Sequence, residues 1–119
     1  MNFEQFPLDP RLLAGIKHAG YTTPTPIQQQ ALPVGDVLGL AQTGTGKTAT
    51  FVLPILQRLT KGPLQQVRAL IIAPTRELAD QINQTIVTLG KQTKVRSVTI
   101  YGGVGKGPQG AALRRGAEV

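Results

Sequence analysis

Apolar positions along the chain follow two alternating rhythms, one of helical and one of strand type. Asp9 followed by Pro10 is a helix start, a capping carboxylate before a proline whose fixed φ suits the first turn; Leu12, Leu13 and Ile16 form one apolar face and Gly20 ends it. Thr25 followed by Pro26 repeats the signal and launches a second short helix through IQQQAL, broken at Pro33 and Gly35. DVLGLA (36–41) is a brief apolar run entering a glycine-rich loop, and KTATFVLPILQRL (47–59) has helical length, with a kink expected near Pro54. VRALIIAP (67–74) is a continuous apolar run of the kind a strand buried on both faces shows. Thr75 caps a further helix whose Leu78, Ile82, Ile86 and Leu89 recur at helical spacing until Gly90. VRSVTIYG (95–102) reads as a third strand, GGVGKGPQG as a loop, and Pro108 to Arg115 as a last short helix. This alternation predicts a layered α/β domain, with a parallel sheet, flanking helices and right-handed crossovers.

Composition narrows the function classes. At 119 residues the chain is one domain or part of one, and 40% apolar with 16% charged residues is a globular composition. Absence of cysteine excludes disulfide frameworks and thiolate metal sites and fits a reducing cytoplasm, which is the expected location. No apolar run approaches a membrane span, and MNFEQFPLDP has no signal-peptide pattern. A formal charge of +7 suits a polyanionic partner such as nucleic acid or nucleotide phosphate.

AQTGTGKTAT (41–50) supplies the first candidate chemistry. It departs from the general phosphate-loop pattern GxxxxGK[ST] only in having Ala41 at the first position. Wrapping a triphosphate requires successive backbone N–H groups to point inward, which Gly44 and Gly46 permit. Lys47 brings an ammonium to the β- and γ-phosphates, Thr48 offers a hydroxyl to Mg²⁺, and the helix beginning at Lys47 aims its positive end at the anion. The competing reading is a glycine turn capped by a helix.

The neighbouring segments favour the phosphate loop, because together they resemble the DEAD-box RNA helicases across almost the whole chain. GYTTPTPIQ (20–28) resembles that family's Q motif, with Phe3 standing 17 positions before Gly20 where the family has an isolated aromatic. AQTGTGKT (41–48) is similar to its motif I, in which a leading alanine is usual; PTRELA (74–79) is similar to motif Ia and YGG (101–103) to the glycine doublet that follows.

The resemblance implies a RecA-like P-loop NTPase fold and a role for each matched residue. Gln28 would read adenine through its carboxamide, Phe3 would stack on the base and Thr23 would lie near it. Thr43, Gly44, Thr45, Gly46, Lys47, Thr48 and Ala49 would hold ATP, with Lys47 and Thr48 taking part in catalysis and Thr48 binding Mg²⁺. Pro74, Thr75, Arg76, Gly102 and Gly103 would grip RNA backbone independently of sequence. The implied activity of the complete protein is ATP hydrolysis coupled to local unwinding of RNA duplexes. Alternatives are a non-catalytic nucleotide- or RNA-binding fragment, and another P-loop NTPase such as a DNA helicase. For Arg76 a structural ion pair is the rival role.

The chain also departs from the family. VGD (34–36) makes a shorter junction than is usual, and Gly107 and Gly110 stand where bulkier residues are common. Val119 comes before the acidic tetrad that holds Mg²⁺ and before the second RecA-like domain, so residues 1–119 are expected to be the N-terminal portion of domain 1. By analogy the strand bearing the tetrad lies between the first two strands, and a gap in the sheet, low stability and inactivity of the isolated chain are the expectations.

Overall fold

The computed structural model describes residues 2–32, 39–40, 46–102 and 106–119, with only the backbone of Lys106. A short 3-10 turn, Phe3–Gln5, precedes α1 (Pro10–His18), α2 (Pro26–Ala31), α3 (Lys47–Leu59), α4 (Arg76–Leu89) and α5 (Lys106–Arg115).

The start of α1 follows directly from its capping pair. The Asp9 carboxylate accepts from the Arg11 N–H at 2.8 Å, and Pro10 occupies a position whose N–H would have no helical partner. The Arg11 guanidinium also donates to Asp9, at 3.0 and 3.1 Å, and holds this carboxyl below its ordinary value of 3.8. In α4 the Thr75 hydroxyl accepts from the Leu78 N–H at 3.2 Å. The helix α3 continues through Pro54 as one element.

Three helices build the core. Leu12 and Ile16 of α1, Val52, Leu53 and Leu56 of α3, and Ile82, Ile86 and Leu89 of α4 form one buried cluster, joined by Phe3 and Phe6. The helices α1 and α4 approach closely at Gly15. A Cβ on Gly15 would lie 2.0 Å from the Leu89 carbonyl oxygen, so only a residue without a side chain fits at this crossing.

The expected sheet is not formed among the described residues. Segments 67–74 and 95–102 contain no strand, and of 36–41 only 39–40 are described, without regular structure. The reason lies in the hydrogen bonds. The two segments do not pair with each other, because residues 116–119 enter between them: Arg68 and Ala69 each donate to the Glu118 carbonyl at 3.0 Å. On the other side Val119 donates to the Arg96 carbonyl at 3.2 Å and accepts from the Val98 N–H at 3.0 Å, the two bonds of a parallel pairing. The Glu118 side chain is buried and accepts main-chain N–H groups of Gln65 and Arg96.

Beyond that short stretch, Leu70 and Ile72 are 82% and 86% exposed. They border a cleft of about 410 Å³ with Ile82, Ile86, Val98 and Ile100. Apolar runs that the sequence pattern assigns to buried strands thus have, among the described residues, no neighbour that buries them. No described helix is long and apolar enough to cross a membrane.

Candidate functional site

Two groups of sequence-predicted residues are brought together, one where α2 meets the start of α3 and the other at the start of α4. At the first, Gln28 lies on the first turn of α2 and is only 3% exposed. Its Oε1 accepts from the Thr25 N–H at 2.9 Å, and its Nε2 donates to the Gly46 carbonyl at 3.1 Å. Among the described residues these bonds use one of the two amide donors and one of the two carbonyl lone pairs, so that one of each is available to a ligand.

Gly46 has the left-handed conformation that only glycine adopts readily, with φ 83° and ψ 23°, and forms the N-cap of α3. Its carbonyl also accepts from the Thr50 hydroxyl at 3.0 Å. A Cβ at this position would meet Gln28 Nε2 at 2.4 Å and Thr25 Oγ1 at 3.3 Å. The Thr25 hydroxyl oxygen is buried and faces the Gln28 N–H in a capping box, but makes no hydrogen bond of full geometry among the described residues. Beside the Gln28 carboxamide it is a second polar group that a polar ligand can bond.

Lys47 is exposed and Thr48 half-buried on the first turn of α3, which contains no acidic residue to compete for an anion. Ala49 is 1% exposed and packs into the core, so any ligand contact there falls to its backbone. Thr43, Gly44 and Thr45, with Ala41, lie outside the described residues. Among the described residues no group of carboxylates and histidines is arranged to hold a metal ion, and Thr48 remains the candidate on its own.

Phe3, expected against a base, is 4% exposed and belongs to the core. Its ring stacks on Tyr21 with centroids 6.4 Å apart, and Tyr21 is the more accessible of the two at 39%. Thr23 is exposed on the segment between Tyr21 and α2.

At the second group Pro74, Thr75 and Arg76 are exposed where the segment 67–74 turns into α4. The Thr75 hydroxyl is engaged as the helix cap. Arg76 donates through Nη2 to the Gly102 carbonyl at 2.6 Å, and its guanidinium carbon lies 5.4 Å from the centre of the Tyr101 ring. Among the described residues the one ion pair is Arg11–Asp9, so the structural ion pair considered for Arg76 is not found there. Gly102 is exposed, a Cβ there would meet nothing within 4 Å, and Gly103 lies outside the described residues.

Thr25 and Tyr101 are the residues that sequence reasoning passed over, the first read only as a helix start and the second only as part of YGG. A T-x-x-Q spacing from Thr25 to Gln28 was the available signal for the first. Nothing local announces the second.

Comparison with known proteins identifies what the chain is similar to. A family described as DEAD/DEAH box helicase matches residues 25–119. The human protein named probable ATP-dependent RNA helicase DDX23 is 43% identical over 94% of the chain, which covers 15% of that protein. The ATP-dependent RNA helicase RhlB of Xanthomonas campestris pv. campestris (strain B100) is 44% identical over the whole chain, covering 22% of it. The chain therefore spans less than a quarter of the length of these relatives. Among solved structures, the RNA helicase Prp28 of Chaetomium thermophilum bound to ADP superposes with a TM-score of 0.86 at 41% identity, over 98% of this chain and 30% of that one. A DEAD box protein of Methanococcus jannaschii gives 0.87 at 32% identity, over 100% and 34%. These likenesses give the chain the RecA-like fold of those domains, although the described residues carry its helices without its sheet.

Proposed function

The chain belongs to the DEAD/DEAH box helicase family, and on that footing we propose that residues 1–119 bind an adenine nucleotide and RNA backbone as part of an ATP-dependent RNA helicase. The observation that carries this reading is the Gln28 side chain, which joins the Thr25 N–H to the Gly46 carbonyl and so ties the segment that reads a base to the segment that ends the phosphate loop.

The remaining donor and lone pair of the carboxamide match the N7 acceptor and N6 donor of adenine. The buried Thr25 hydroxyl, which makes no full hydrogen bond among the described residues, is the second polar atom available to the nucleotide. Tyr21, resting on Phe3, is the accessible ring beside this segment, and Phe3 supports it from the core. Lys47 supplies a positive charge to the phosphates, helped by the N-terminus of a 13-residue helix. Thr48 would hold Mg²⁺, which in phosphoryl transfer neutralises charge developing on the phosphate oxygens. Because Gln28 touches Gly46 directly, occupation of the base site changes the geometry from which α3 and its lysine project.

RNA is assigned to Pro74, Thr75, Arg76, Gly102 and Gly103. The support is an exposed arginine without a carboxylate partner among the described residues, beside an unobstructed glycine, on a chain of charge +7. Contacts of this type hold phosphate and sugar and read no bases. Hydrolysis and strand separation are proposed for the whole enzyme, and binding for these residues.

The RNA assignment predicts that single strands of different sequence bind with dissociation constants within about threefold of each other, with a log–log salt slope of about −0.7 for each phosphate held. Fluorescence anisotropy with uridine-rich and mixed-sequence oligonucleotides, across a salt series, measures both quantities. Affinity independent of salt, or a strong sequence preference, would contradict the assignment.

A further inference from the structure

We infer that Tyr101 is a positioning residue for the RNA grip: its ring holds the Arg76 guanidinium while its hydroxyl occupies the Asp80 carboxylate, which keeps Arg76 free of an acidic partner. The inference rests on the assignment of Arg76 to RNA.

Arg76 and Asp80 are four residues apart on α4, a spacing at which side chains of opposite charge meet on the helix surface. Such a pair would neutralise the arginine locally and force a phosphate to compete with a carboxylate. The structure shows a different arrangement. The Asp80 carboxylate accepts from the Tyr101 hydroxyl. Arg76 turns to the Tyr101 ring and to the Gly102 carbonyl. A ring face and a carbonyl orient a guanidinium without cancelling its charge, and they leave its other N–H groups available to an anion.

Tyr101 is itself fixed from behind. Its N–H donates to Gln109 Oε1 at 2.6 Å and its carbonyl accepts from Gln109 Nε2 at 3.4 Å, so a side chain of α5 holds the tyrosine backbone by both polar groups. The segment carrying Gly102 thereby reaches the start of α4 in one position, and the arginine is presented rather than tethered.

A double-mutant cycle on the full chain separates this role from ordinary packing. Tyr101→Phe keeps the ring but releases Asp80, and the freed carboxylate pairs with Arg76. Single-stranded RNA binding should weaken about fivefold, with the salt slope shallower by about 0.7 as one phosphate contact is lost. Asp80→Asn in the Tyr101→Phe background should restore affinity to within about twofold of the unaltered chain, whereas Asp80→Asn alone should change it by less than about twofold. Equal effects of Asp80→Asn in the two backgrounds would overturn the inference, since removing a negative charge would then be acting only through the general field.

Nuclear magnetic resonance of the RNA-free chain reads the arrangement independently. The Arg76 Nε–H resonance should carry a ring-current shift that shrinks in Tyr101→Phe, as Arg76 turns to Asp80, is recovered when Asp80→Asn is added, and disappears in Tyr101→Leu. If that shift is present and the unaltered chain binds no RNA, the RNA assignment falls and takes the inference with it. If RNA binds and the cycle shows no coupling, the role of Tyr101 alone is wrong.

Discussion

Replacing Gly46 with alanine should weaken adenine-nucleotide binding by about 100-fold and destabilise the chain at the same time. Two independent effects combine there. An L-residue held at φ 83° costs about 1–2 kcal/mol relative to glycine. The added methyl carbon would also stand 2.4 Å from Gln28 Nε2, well inside contact distance, so the amide must leave the Gly46 carbonyl. Losing that bond and displacing the base-reading side chain should weaken nucleotide binding by about 100-fold, equivalent to roughly 2.7 kcal/mol. Calorimetric titration with ADP, beside a denaturant melt, separates the two effects. Retained affinity in Gly46→Ala would show that the Gln28–Gly46 contact has no part in the site.

The second large effect is expected far from any ligand. Gly15→Ala on an isolated helix should stabilise by about 1 kcal/mol, because glycine is a poor helix former. In this chain the sign reverses. The new Cβ would lie 2.0 Å from the Leu89 carbonyl oxygen and 2.8 Å from the carbonyl carbon, and backbone atoms cannot rotate aside as a side chain does. The helices α1 and α4 must separate, and Leu12, Ile16, Ile86 and Leu89 lose part of their packing. A net destabilisation of about 2–4 kcal/mol is expected, from overpacking added to lost burial. It should appear as a lower midpoint in chemical denaturation, without a change in the preference among nucleotides of the molecules that remain folded. An unchanged or raised midpoint would mean that α1 does not dock on α4 as described.

The contrast between these glycines shows what could be read from the sequence. Gly46 was legible because the phosphate-loop pattern demands a residue tolerant of positive φ before a helix. Gly15 was not, since its requirement comes from Leu89, distant along the chain and adjacent only after α1 and α4 pack. Helix positions were legible for local reasons: Asp9 with Pro10, Thr25 with Pro26, and Thr75 are caps whose chemistry lies within one turn, and the structure starts helices at all three.

Strands depended on partners instead. The segments 67–74 and 95–102 have the apolar composition of buried strands, yet among the described residues their backbone-to-backbone hydrogen bonds go only to 116–119, and Leu70, Ile72 and Ile100 remain exposed. Periodicity reports which faces seek burial and says nothing about whether the neighbour is present. Within the site, Gln28 is singled out by its motif, but its bond to Gly46, 18 residues along the chain, depends on how α2 packs beside the start of α3. For Phe3 the resemblance implies a ring near the base; the fold buries that ring in the core against Tyr21, which is the more exposed of the two.

The central claim is that Gln28 reads adenine while joined to the end of the phosphate loop. Titrating ATP and GTP in parallel into the chain and into Gln28→Ala tests it most directly. Guanine presents acceptors at both O6 and N7, so the carboxamide oxygen would face an oxygen instead of the N6 donor. The unaltered chain should therefore bind ATP at least about tenfold more tightly than GTP, and Gln28→Ala should bring the two within about twofold. Equal affinities in the unaltered chain, or an ATP preference that survives Gln28→Ala, would contradict the account.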